Sequence, residues 1–207
     1  MEDAPATEIY RRAVADLIML SLPEFYDILG RYIPDLCTVV AGRLSQPGGE
    51  LRNCHVLQGE RGMPQGVFCC YPSEALAMAQ MTDLRAMLRN AAKDNKTKIQ
   101  QELAESSGDK ASVPTDGCYL SRFAVAPECR GQGAANDLIE GFKTFAPGTP
   151  LYLHVNRDNA RAISFYRRHE FDFIPSDGDF QYPTMAFIPA KSAEADGTGQ
   201  SRSSATH

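Results

Sequence analysis

A glycine-containing loop between a strand pattern and a helix pattern constrains this chain more than any other feature. The loop has the sequence Arg-Gly-Gln-Gly-Ala-Ala and covers residues 130–135. Before it, residues 118–126 form an apolar, strand-like run that Pro127 closes. After it, apolar residues recur at helical spacing, namely Ala134, Leu138, Phe142 and Phe145. The order of strand, loop and helix predicts a mixed α and β fold in which the loop leads into a helix N-terminus.

The chemistry of this loop favours a phosphate ligand. Glycines allow the backbone to approach a ligand closely, and the first turn of a helix leaves its N–H groups unpaired. The helix dipole favours an anion there, and an arginine side chain adds a planar cation. The sequence therefore predicts a pyrophosphate cradle made by Arg130, Gly131, Gln132, Gly133, Ala134 and Ala135. A turn that binds no ligand is the alternative.

Two common phosphate-binding motifs do not match the loop. A P-loop requires lysine and serine or threonine after its last glycine, whereas Ala134 and Ala135 follow Gly133. A dinucleotide-binding loop requires a third glycine at the place where Asn136 stands. If the loop binds phosphate, it therefore does so neither as a P-loop nor as a dinucleotide-binding loop.

A second segment, downstream of the first, also pairs a strand with a helix. Residues 151–155 are typical of a short strand and residues 160–168 of a helix, with Asn159 between them as a predicted N-cap. At about 100° per residue, Asn159, Ala162 and Tyr166 share one face of that helix. This face offers an amide, a small residue that permits close approach, and a phenol.

Together the two segments resemble the core motifs of the GCN5-related N-acetyltransferase (GNAT) superfamily. The first motif, Arg/Gln-x-x-Gly-x-Gly/Ala, is met by Arg130, Gly133 and Ala135. The second, approximately Val-x-x-x-Asn-x-x-Ala-x-x-Leu/Phe-Tyr-x-x-x-Gly-Phe, is met by Val155, Asn159, Ala162, Phe165, Tyr166 and Phe171. Glu170 departs from it, because the family usually has glycine there, at a left-handed helix end. The resemblance covers roughly residues 117–187.

The resemblance implies an α/β (α+β) fold of GNAT type. Its sheet is expected to be mixed and mostly antiparallel, splayed between two parallel strands and flanked by helices. A chain of 207 residues suffices for one such domain with a sizeable core, predicted here over residues 1–189. A polar insert is predicted at about 91–116, and the Ser-, Ala- and Gly-rich residues 190–207 are expected to be a disordered tail.

The resemblance also implies a function, which is the direct transfer of an acetyl group from acetyl-CoA to a primary amine. Tyr166 would protonate or hydrogen-bond the departing thiolate, since a phenol stays protonated at neutral pH. Besides the loop, the residues expected at the cofactor are Phe123, Ala124, Val125, Asn159 and Ala162. A CoA-binding module without turnover is the alternative, and a plain interaction domain is a third possibility.

The acceptor and the general base are not identified by the sequence. Glu24 and Tyr26, in an early helical segment, and Tyr71 are candidates for the acceptor pocket. Further candidates for the base are Asp27, Glu60, Asp116 and a chain of water molecules. His154 is expected to be a structural histidine, and Arg122 is expected to face solvent.

Composition narrows the classes of partner. A net charge of −5 gives no general affinity for nucleic acid. No apolar run approaches the roughly 18 residues that span a membrane, and the start Met-Glu-Asp-Ala-Pro lacks the basic region of a signal peptide. The six cysteines include no C-x-x-C pair and the four histidines lack ligand spacing, so no metal is expected. A cytoplasmic protein is therefore predicted, and its oligomeric state is left open.

The remaining elements follow from apolar periodicity. Helices are predicted over 8–20 and 24–29, and another from a Ser73 cap to about residue 90. Residues 35–44 have helical apolar spacing, whereas the run Thr38-Val-Val40 favours a strand, and we prefer a helix there. A hairpin over 53–58 and 66–71, turning near 60–62, and closing strands at 171–175 and 184–189 complete the pattern. Residues 93–115 are polar with one weak helical patch at 99–103, and we expect them to form a mobile surface loop.

Overall fold

The computed structural model describes residues 8–59 and 62–189. Three helices open the fold where periodicity predicts them: α1 (Glu8–Ser21), α2 (Pro23–Gly30) and α3 (Leu36–Arg43). Pro23 lies in the first turn of α2, where its missing N–H removes no hydrogen bond. The buried stripe of α1 consists of Val14, Ala15, Leu17 and Ile18.

Six strands form one mixed sheet. They are β1 (Cys54–Gln58), β2 (Pro64–Pro72), β3 (Cys118–Val125), β4 (Leu151–His154), β5 (Asp172–Phe173) and β6 (Thr184–Phe187). Their order across the sheet is β1-β2-β3-β4-β6-β5, and β3 and β4 are its parallel pair. The predicted fold class is thereby confirmed. The β1–β2 hairpin is also confirmed, although residues 60 and 61 of its turn lie outside the described residues.

The two parallel strands separate soon after they meet. Residues 118–119 of β3 pair with residues 151–152 of β4, and the register ends there. From residue 120 onward, β3 pairs with β2 on one side only. The sheet therefore opens into a gap between β3 and β4, as the resemblance implies.

Four more helices cover the two faces of the sheet: α4 (Leu76–Leu88), α5 (Lys96–Ser106), α6 (Ala134–Phe145) and α7 (Ala160–Arg168). Residues of α1 to α5 build one apolar core, whereas α6 and α7 build the other. Neighbouring Cys69 and Cys70 of β2 belong to different cores because successive side chains of a strand point to opposite faces. None of the helices in the described ranges is long and apolar enough to cross a membrane.

The prediction that Ser73 caps α4 is wrong. Ser73 begins a short 3-10 helix (Ser73–Ala75), and α4 begins only at Leu76. The Ser73 hydroxyl is buried and has no hydrogen-bond partner within the described part of the chain. The helix itself lies within the predicted range and ends at Leu88.

The polar insert differs from the mobile loop that its composition predicts. It contains α5, and the side chain of Ile99 on this helix is completely buried. Glu102 ties α5 to the end of α2, since Arg31 Nη1 lies 2.9 Å from Glu102 Oε2 and the Tyr32 hydroxyl donates to Glu102 Oε1. These partners are about 70 residues away in sequence, so the helix is stabilised by tertiary contacts that local periodicity does not reveal.

Candidate active site

The loop at 130–135 presents unpaired main-chain N–H groups toward open space. No described residue accepts a hydrogen bond from the N–H groups of Gly131, Gly133, Ala134 or Ala135. Gly131 and Gly133 have φ values of +77° and +93°, and a Cβ atom at either would meet nothing within 4 Å. Gly133 is the N-cap of α6, so the positive end of the helix dipole adds to the N–H groups. The loop can therefore hold an anion.

The N–H groups of Arg130 and Gln132 in the loop are paired, and both side chains contact nearby carbonyl groups. Their N–H groups donate to carbonyl groups of the preceding turn, which leaves their side chains for other contacts. Arg130 Nε lies 3.4 Å from the carbonyl oxygen of Val125 at the end of β3, and its side chain is exposed. Gln132 Nε2 donates to the Glu128 carbonyl at 2.7 Å, which braces the loop. The Arg130 guanidinium thus lies beside the loop as an exposed cation.

On the edge of β3 that borders the gap, two residues direct their backbone N–H and carbonyl groups away from β2. The N–H of Ala126 donates to Gln65 at 2.8 Å, just beyond the paired register of β2 and β3. Because backbone groups alternate between the two edges of a strand, Phe123 and Val125 direct their N–H and carbonyl groups into the gap. Ala124, between them, faces β2. The gap therefore offers an extended ligand a short strand edge that pairs with no other described strand.

Asn159 and Ala162 meet at the start of α7. Oδ1 of Asn159 accepts a hydrogen bond from the Ala162 N–H at 3.0 Å, which confirms the predicted N-cap. The Asn159 side chain is exposed, and its Nδ2 group has no acceptor in the described ranges. The amide is thereby fixed in orientation with its donors available to a ligand.

The end of α7 shows how Glu170 replaces the expected glycine. Glu170 adopts a φ of +66°, which is the left-handed conformation that glycine prefers. The N–H of Phe171 donates to the Tyr166 carbonyl at 3.1 Å and that of Glu170 to the Arg167 carbonyl at 3.0 Å. These bonds form a Schellman motif, and the rings of Tyr166 and Phe171 pack together with centroids 6.0 Å apart. The backbone geometry is therefore kept although the residue is not glycine.

Tyr166 projects from α7 toward β3. Its ring centroid lies 6.3 Å from that of Phe123 and 5.3 Å from that of Phe165. The hydroxyl forms no hydrogen bond with any described residue. Burial raises the pKa of Tyr166 well above its ordinary value, so the phenol keeps its proton. The Tyr166 hydroxyl is thus protonated and can donate a hydrogen bond to a ligand.

A cavity of about 440 Å³ opens beside the separating strands and contains Tyr166 in its wall. One side is apolar and is formed by Leu22, Phe25, Met81, Leu84, Met87 and Leu103. The polar groups around it include those of Glu24, Glu50, Asp83, Lys110, Tyr119, Arg122, His154 and Tyr166. The insert supplies part of this wall through Leu103, Ser106, Ser107, Gly108 and Lys110. The cavity can hold a small molecule or the end of a longer chain.

Tyr119 and His154 form a hydrogen-bonded pair in the cavity wall. Nε2 of His154 lies 2.8 Å from the Ala111 carbonyl, which can only accept, so this nitrogen carries the proton. Nδ1 lies 2.8 Å from the Tyr119 hydroxyl and accepts its proton in a hydrogen bond. Burial lowers the pKa of His154, and the nearby Lys110 cation adds to this against the Ala111 hydrogen bond. The imidazole is therefore neutral, and Nδ1 is its basic nitrogen.

The sequence points to His154 only as a structural residue and does not point to Tyr119. Both nitrogens of His154 do have partners, as a structural histidine requires. The signal that could have identified the pair is position, since each residue lies on a strand that leads into one of the two motifs.

The expectation that Arg122 faces solvent is wrong. Arg122 is only 7% exposed, and its Nη2 lies 2.6 Å from Oε1 of Glu50, which is 1% exposed. Its Nη1 donates to the Ser121 carbonyl at 2.7 Å, and its Nε lies 3.4 Å from the Tyr26 hydroxyl. Oε2 of Glu50 is buried without a hydrogen-bond partner among the residues that the structure describes.

A β-bulge explains the direction of Arg122. The register between β2 and β3 shifts at Cys69 and Cys70, so that Ser121 is an extra residue in β3. Leu120 therefore packs in the core of α6 and α7, whereas Arg122 points to the opposite face. The sequence alone does not locate a bulge, because the register depends on the partner strand.

The other acceptor candidates are spread over several places. Glu24 lies in the cavity wall, whereas Tyr26 and Tyr71 are not among the residues that line it. Tyr26 is buried beneath Arg122, and its burial raises its pKa to about 12. Asp116 accepts a hydrogen bond from the Tyr152 hydroxyl at 2.8 Å, and Glu60 lies outside the described residues. Within 8–59 and 62–189, no three His, Cys, Asp or Glu side chains are grouped to hold a metal ion.

Comparison with known proteins agrees with this geometry. Residues 88–171 match the sequence model of the acetyltransferase (GNAT) family, a range that includes the loop, the gap and α7. N-alpha-acetyltransferase 60 of Xenopus tropicalis is 30% identical over 89 residues. The matched region is 39% of this chain and spans 37% of that relative's length.

Solved structures share the fold over most of the chain. An N-acetyltransferase from Staphylococcus aureus Mu50 superposes with a TM-score of 0.65 at 14% identity, covering 88% of this chain and 97% of that one. A second acetyltransferase structure gives a TM-score of 0.62 at 20% identity, covering 88% and 96%. Both core motifs lie inside the region that matches the family model, and the splayed sheet surrounds them, so this region is similar to the GNAT acetyltransferases and the chain shares the fold of the solved acetyltransferase structures.

Proposed function

We propose that this protein transfers an acetyl group from acetyl-CoA directly to a primary amine bound in the cavity. One observation carries the proposal: the open edge of β3 runs from the anion-binding loop to the cavity. At one end, the Val125 carbonyl contacts Arg130 of the loop. At the other, Phe123 lies in the cavity wall close to the ring of Tyr166. Coenzyme A matches this arrangement, since it joins a diphosphate to an extended arm that ends in a thiol.

The chain's own groups suit each part of such a ligand. The N–H groups of Gly131, Gly133, Ala134 and Ala135 would hold the diphosphate, with the Arg130 guanidinium beside them. The backbone of Phe123 and Val125 would pair with the pantetheine arm as an added strand. The Asn159 amide, fixed by the Ala162 N–H, would bind the same arm from the other side of the gap. When bound, acetyl-CoA supplies the activated thioester.

Two groups in the cavity suit the proton transfers. Tyr119 would accept a proton from the amine and pass its own to Nδ1 of His154, along the 2.8 Å hydrogen bond between them. The Ala111 carbonyl keeps Nε2–H in place, so that Nδ1 stays available. Tyr166 would hydrogen-bond the departing sulfur or donate its proton to it, since its raised pKa keeps the phenol protonated and its hydroxyl has no other partner in the described chain. An N–H group of the β3 edge would polarise the thioester carbonyl.

The acceptor is proposed only as a primary amine. The name of the matching Xenopus relative states transfer to an α-amine, which supports peptide N-termini as one class to test. Lysine side chains, polyamines, amino acids and aminoglycosides belong in the same panel. A cavity with both an apolar wall and charged groups is compatible with each of these classes.

The experiment is a thiol-release assay with acetyl-CoA over this amine panel, using wild type and Tyr166→Phe. Removal of the hydroxyl should lower kcat by about 10²-fold while CoA binding persists. Tyr71→Phe is the matched control, because Tyr71 lies on β2 and is not among the residues that line the cavity. Equal turnover by wild type and Tyr166→Phe would exclude the acid role. Binding of CoA by wild type without release across the panel would favour a CoA-binding module.

A further inference from the structure

Lys110 places an amine of the chain itself at the cavity. The residue lies between α5 and β3 and forms part of the cavity wall together with Tyr119, His154 and Tyr166. Among the lysines that the structure describes, Lys110 alone lines this cavity. Any group transferred in the cavity therefore meets a primary amine that belongs to the protein.

The backbone around Lys110 is held in place next to the Tyr119–His154 pair. Lys110 forms a parallel β-bridge with Tyr182, and the N–H of Ala111 donates to the Tyr182 carbonyl at 3.1 Å. The carbonyl of Ala111 is the group that His154 Nε2 contacts at 2.8 Å. Lys110 is thus the sequence neighbour of the residue whose carbonyl contacts His154, a member of the pair proposed to accept the proton.

The ammonium of Lys110 has no carboxylate partner in the described chain. Its nearest aromatic contact is loose, with Nζ 5.9 Å from the ring centroid of Tyr182. Gly108 lies directly against that ring, since a Cβ atom there would come within 2.7 Å of it. The backbone around Gly108 and Lys110 is therefore closely packed, whereas the Lys110 side chain forms no ion pair with a described residue.

The charges around Lys110 favour its neutral form. Burial at the wall lowers the pKa of Lys110, the Arg122 cation lowers it further, and Glu50 opposes both. His154 is neutral and adds no negative charge. The side chain as a whole is exposed, and the lowered pKa increases the fraction of Lys110 that is present as reactive free amine. This electrostatic setting adds to the geometry, in which the amine, Tyr119 and Tyr166 share one cavity.

We propose that Lys110 is an acetyl acceptor of the protein's own active site, which rests on the proposed acetyl transfer from acetyl-CoA. The neutral Nζ forms a bond to the thioester carbonyl carbon as the carbon–sulfur bond breaks. The nitrogen loses one proton to the Tyr119–His154 pair, and the sulfur gains one from Tyr166, so that free CoA thiol leaves. The product is N-acetyl-lysine at position 110, which has lost its positive charge.

The test is incubation of the full-length protein with acetyl-CoA and no added amine, followed by peptide mass spectrometry over time. Lys110 should be acetylated at least about tenfold faster than Lys93, Lys96 and Lys98. These three lysines belong to the same insert but do not line the cavity, so they report the chemical background. The fraction modified at a given time should not depend on protein concentration, because the step is intramolecular.

Two variants make the result decisive. Lys110→Arg keeps the cation and should abolish the rapid modification, whereas Lys98→Arg should leave it intact. Tyr166→Phe should slow acetylation of Lys110 by the same factor as it slows thiol release. Acetylation of Lys110 at the rate of Lys93, or at an unchanged rate in Tyr166→Phe, overturns the proposal as simple chemical acetylation.

The two proposals fail in distinguishable ways. Release of CoA with free amines while Lys110 stays unmodified would refute self-acetylation and leave the enzymatic function intact. The absence of both release and modification, in a protein that binds CoA, would refute both.

Discussion

The hydroxyl of Tyr119 lies 2.8 Å from Nδ1 of His154, so a side-chain hydrogen bond joins β3 to β4 at the point where the strands part. Backbone pairing ends with Tyr119 and Tyr152, and the next connection between the strands is this bond. The pair therefore lies at the apex of the gap, which is also a wall of the cavity. A ligand in the gap and an acceptor in the cavity would meet beside it.

Removal of either member of this pair should slow the chemical step. We predict that Tyr119→Phe and His154→Gln each lower kcat by about 10²- to 10⁴-fold, the usual contribution of general base catalysis. The affinity for CoA should change little because neither side chain belongs to the loop or to the open edge of β3. Steady-state kinetics and CoA calorimetry on the same samples measure the two quantities separately.

The pH profile gives a sharper form of this prediction. The pKa of His154 is lowered from the ordinary histidine value of 6.5. Nδ1 therefore stays unprotonated somewhat below that pH, and its ability to accept a proton is lost only as the pH falls through the lowered pKa. The acidic limb of kcat should therefore lie below pH 6.5 in wild type. An acidic limb above that value, or an unchanged limb in His154→Gln, would show that another group is the base.

The loop prediction concerns Gly133. Gly133→Ala should destabilise the fold by about 1–2 kcal/mol because a side chain is disfavoured at its φ of +93°. It should also raise the KM for acetyl-CoA, since the backbone that carries the N–H groups must shift. Gly148→Ala is the matched control, with a φ of +76°, no atom near its Cβ position and no place in the loop. Equal KM values for acetyl-CoA in the two variants would contradict the proposal that the loop binds its diphosphate.

Glu170 offers a test of stored backbone strain. Glu170→Gly should raise the free energy of unfolding by up to about 1 kcal/mol, because glycine adopts a φ of +66° without penalty. Glu170→Gln keeps the strain but removes the carboxylate that lies 3.5 Å from Lys143 Nζ. This second change should have almost no effect, as expected for an exposed pair. Urea denaturation measures both, and a gain only in the glutamine variant would show that charge, not strain, matters at this position.

The Glu50–Arg122 pair should be costly to break. Glu50→Leu leaves a buried guanidinium without its carboxylate, and we predict a loss of about 3–5 kcal/mol in urea denaturation. Adding Arg122→Met should recover most of the lost stability, because the unpaired buried guanidinium is then removed as well. The exposed pair of Arg157 and Asp179 is the control, and Asp179→Ala should have almost no effect on stability. Similar losses in Glu50→Leu and Asp179→Ala would contradict the buried pairing.

Local chemistry explains why parts of this fold could be predicted from the sequence. The first three helices follow their apolar periodicity, and Asn159 caps α7 through a bond to a residue three positions away. The glycines of the loop have positive φ values within a single turn before α6. Each of these features depends on neighbours along the chain, which the sequence displays directly.

The features that the sequence does not predict depend on partners that are distant along the chain. Arg122 is turned inward by a bulge whose place is set by the register with β2. The helix in the insert is fastened by Glu102 to Arg31 and Tyr32 of an earlier segment. The Tyr119–His154 pair arises only when two strands 35 residues apart lie parallel and then separate. None of these arrangements leaves a periodic pattern in the sequence.

The central claim is that main-chain N–H groups of the loop hold the diphosphate of coenzyme A. Calorimetric titration of the wild-type protein with CoA and with pantetheine, which lacks the phosphates, tests it most directly. Since each hydrogen bond to a charged group contributes about 1.5–3 kcal/mol, CoA should bind at least about 100-fold more tightly than pantetheine. Equal affinities, or no binding of CoA by the folded protein, would contradict the account.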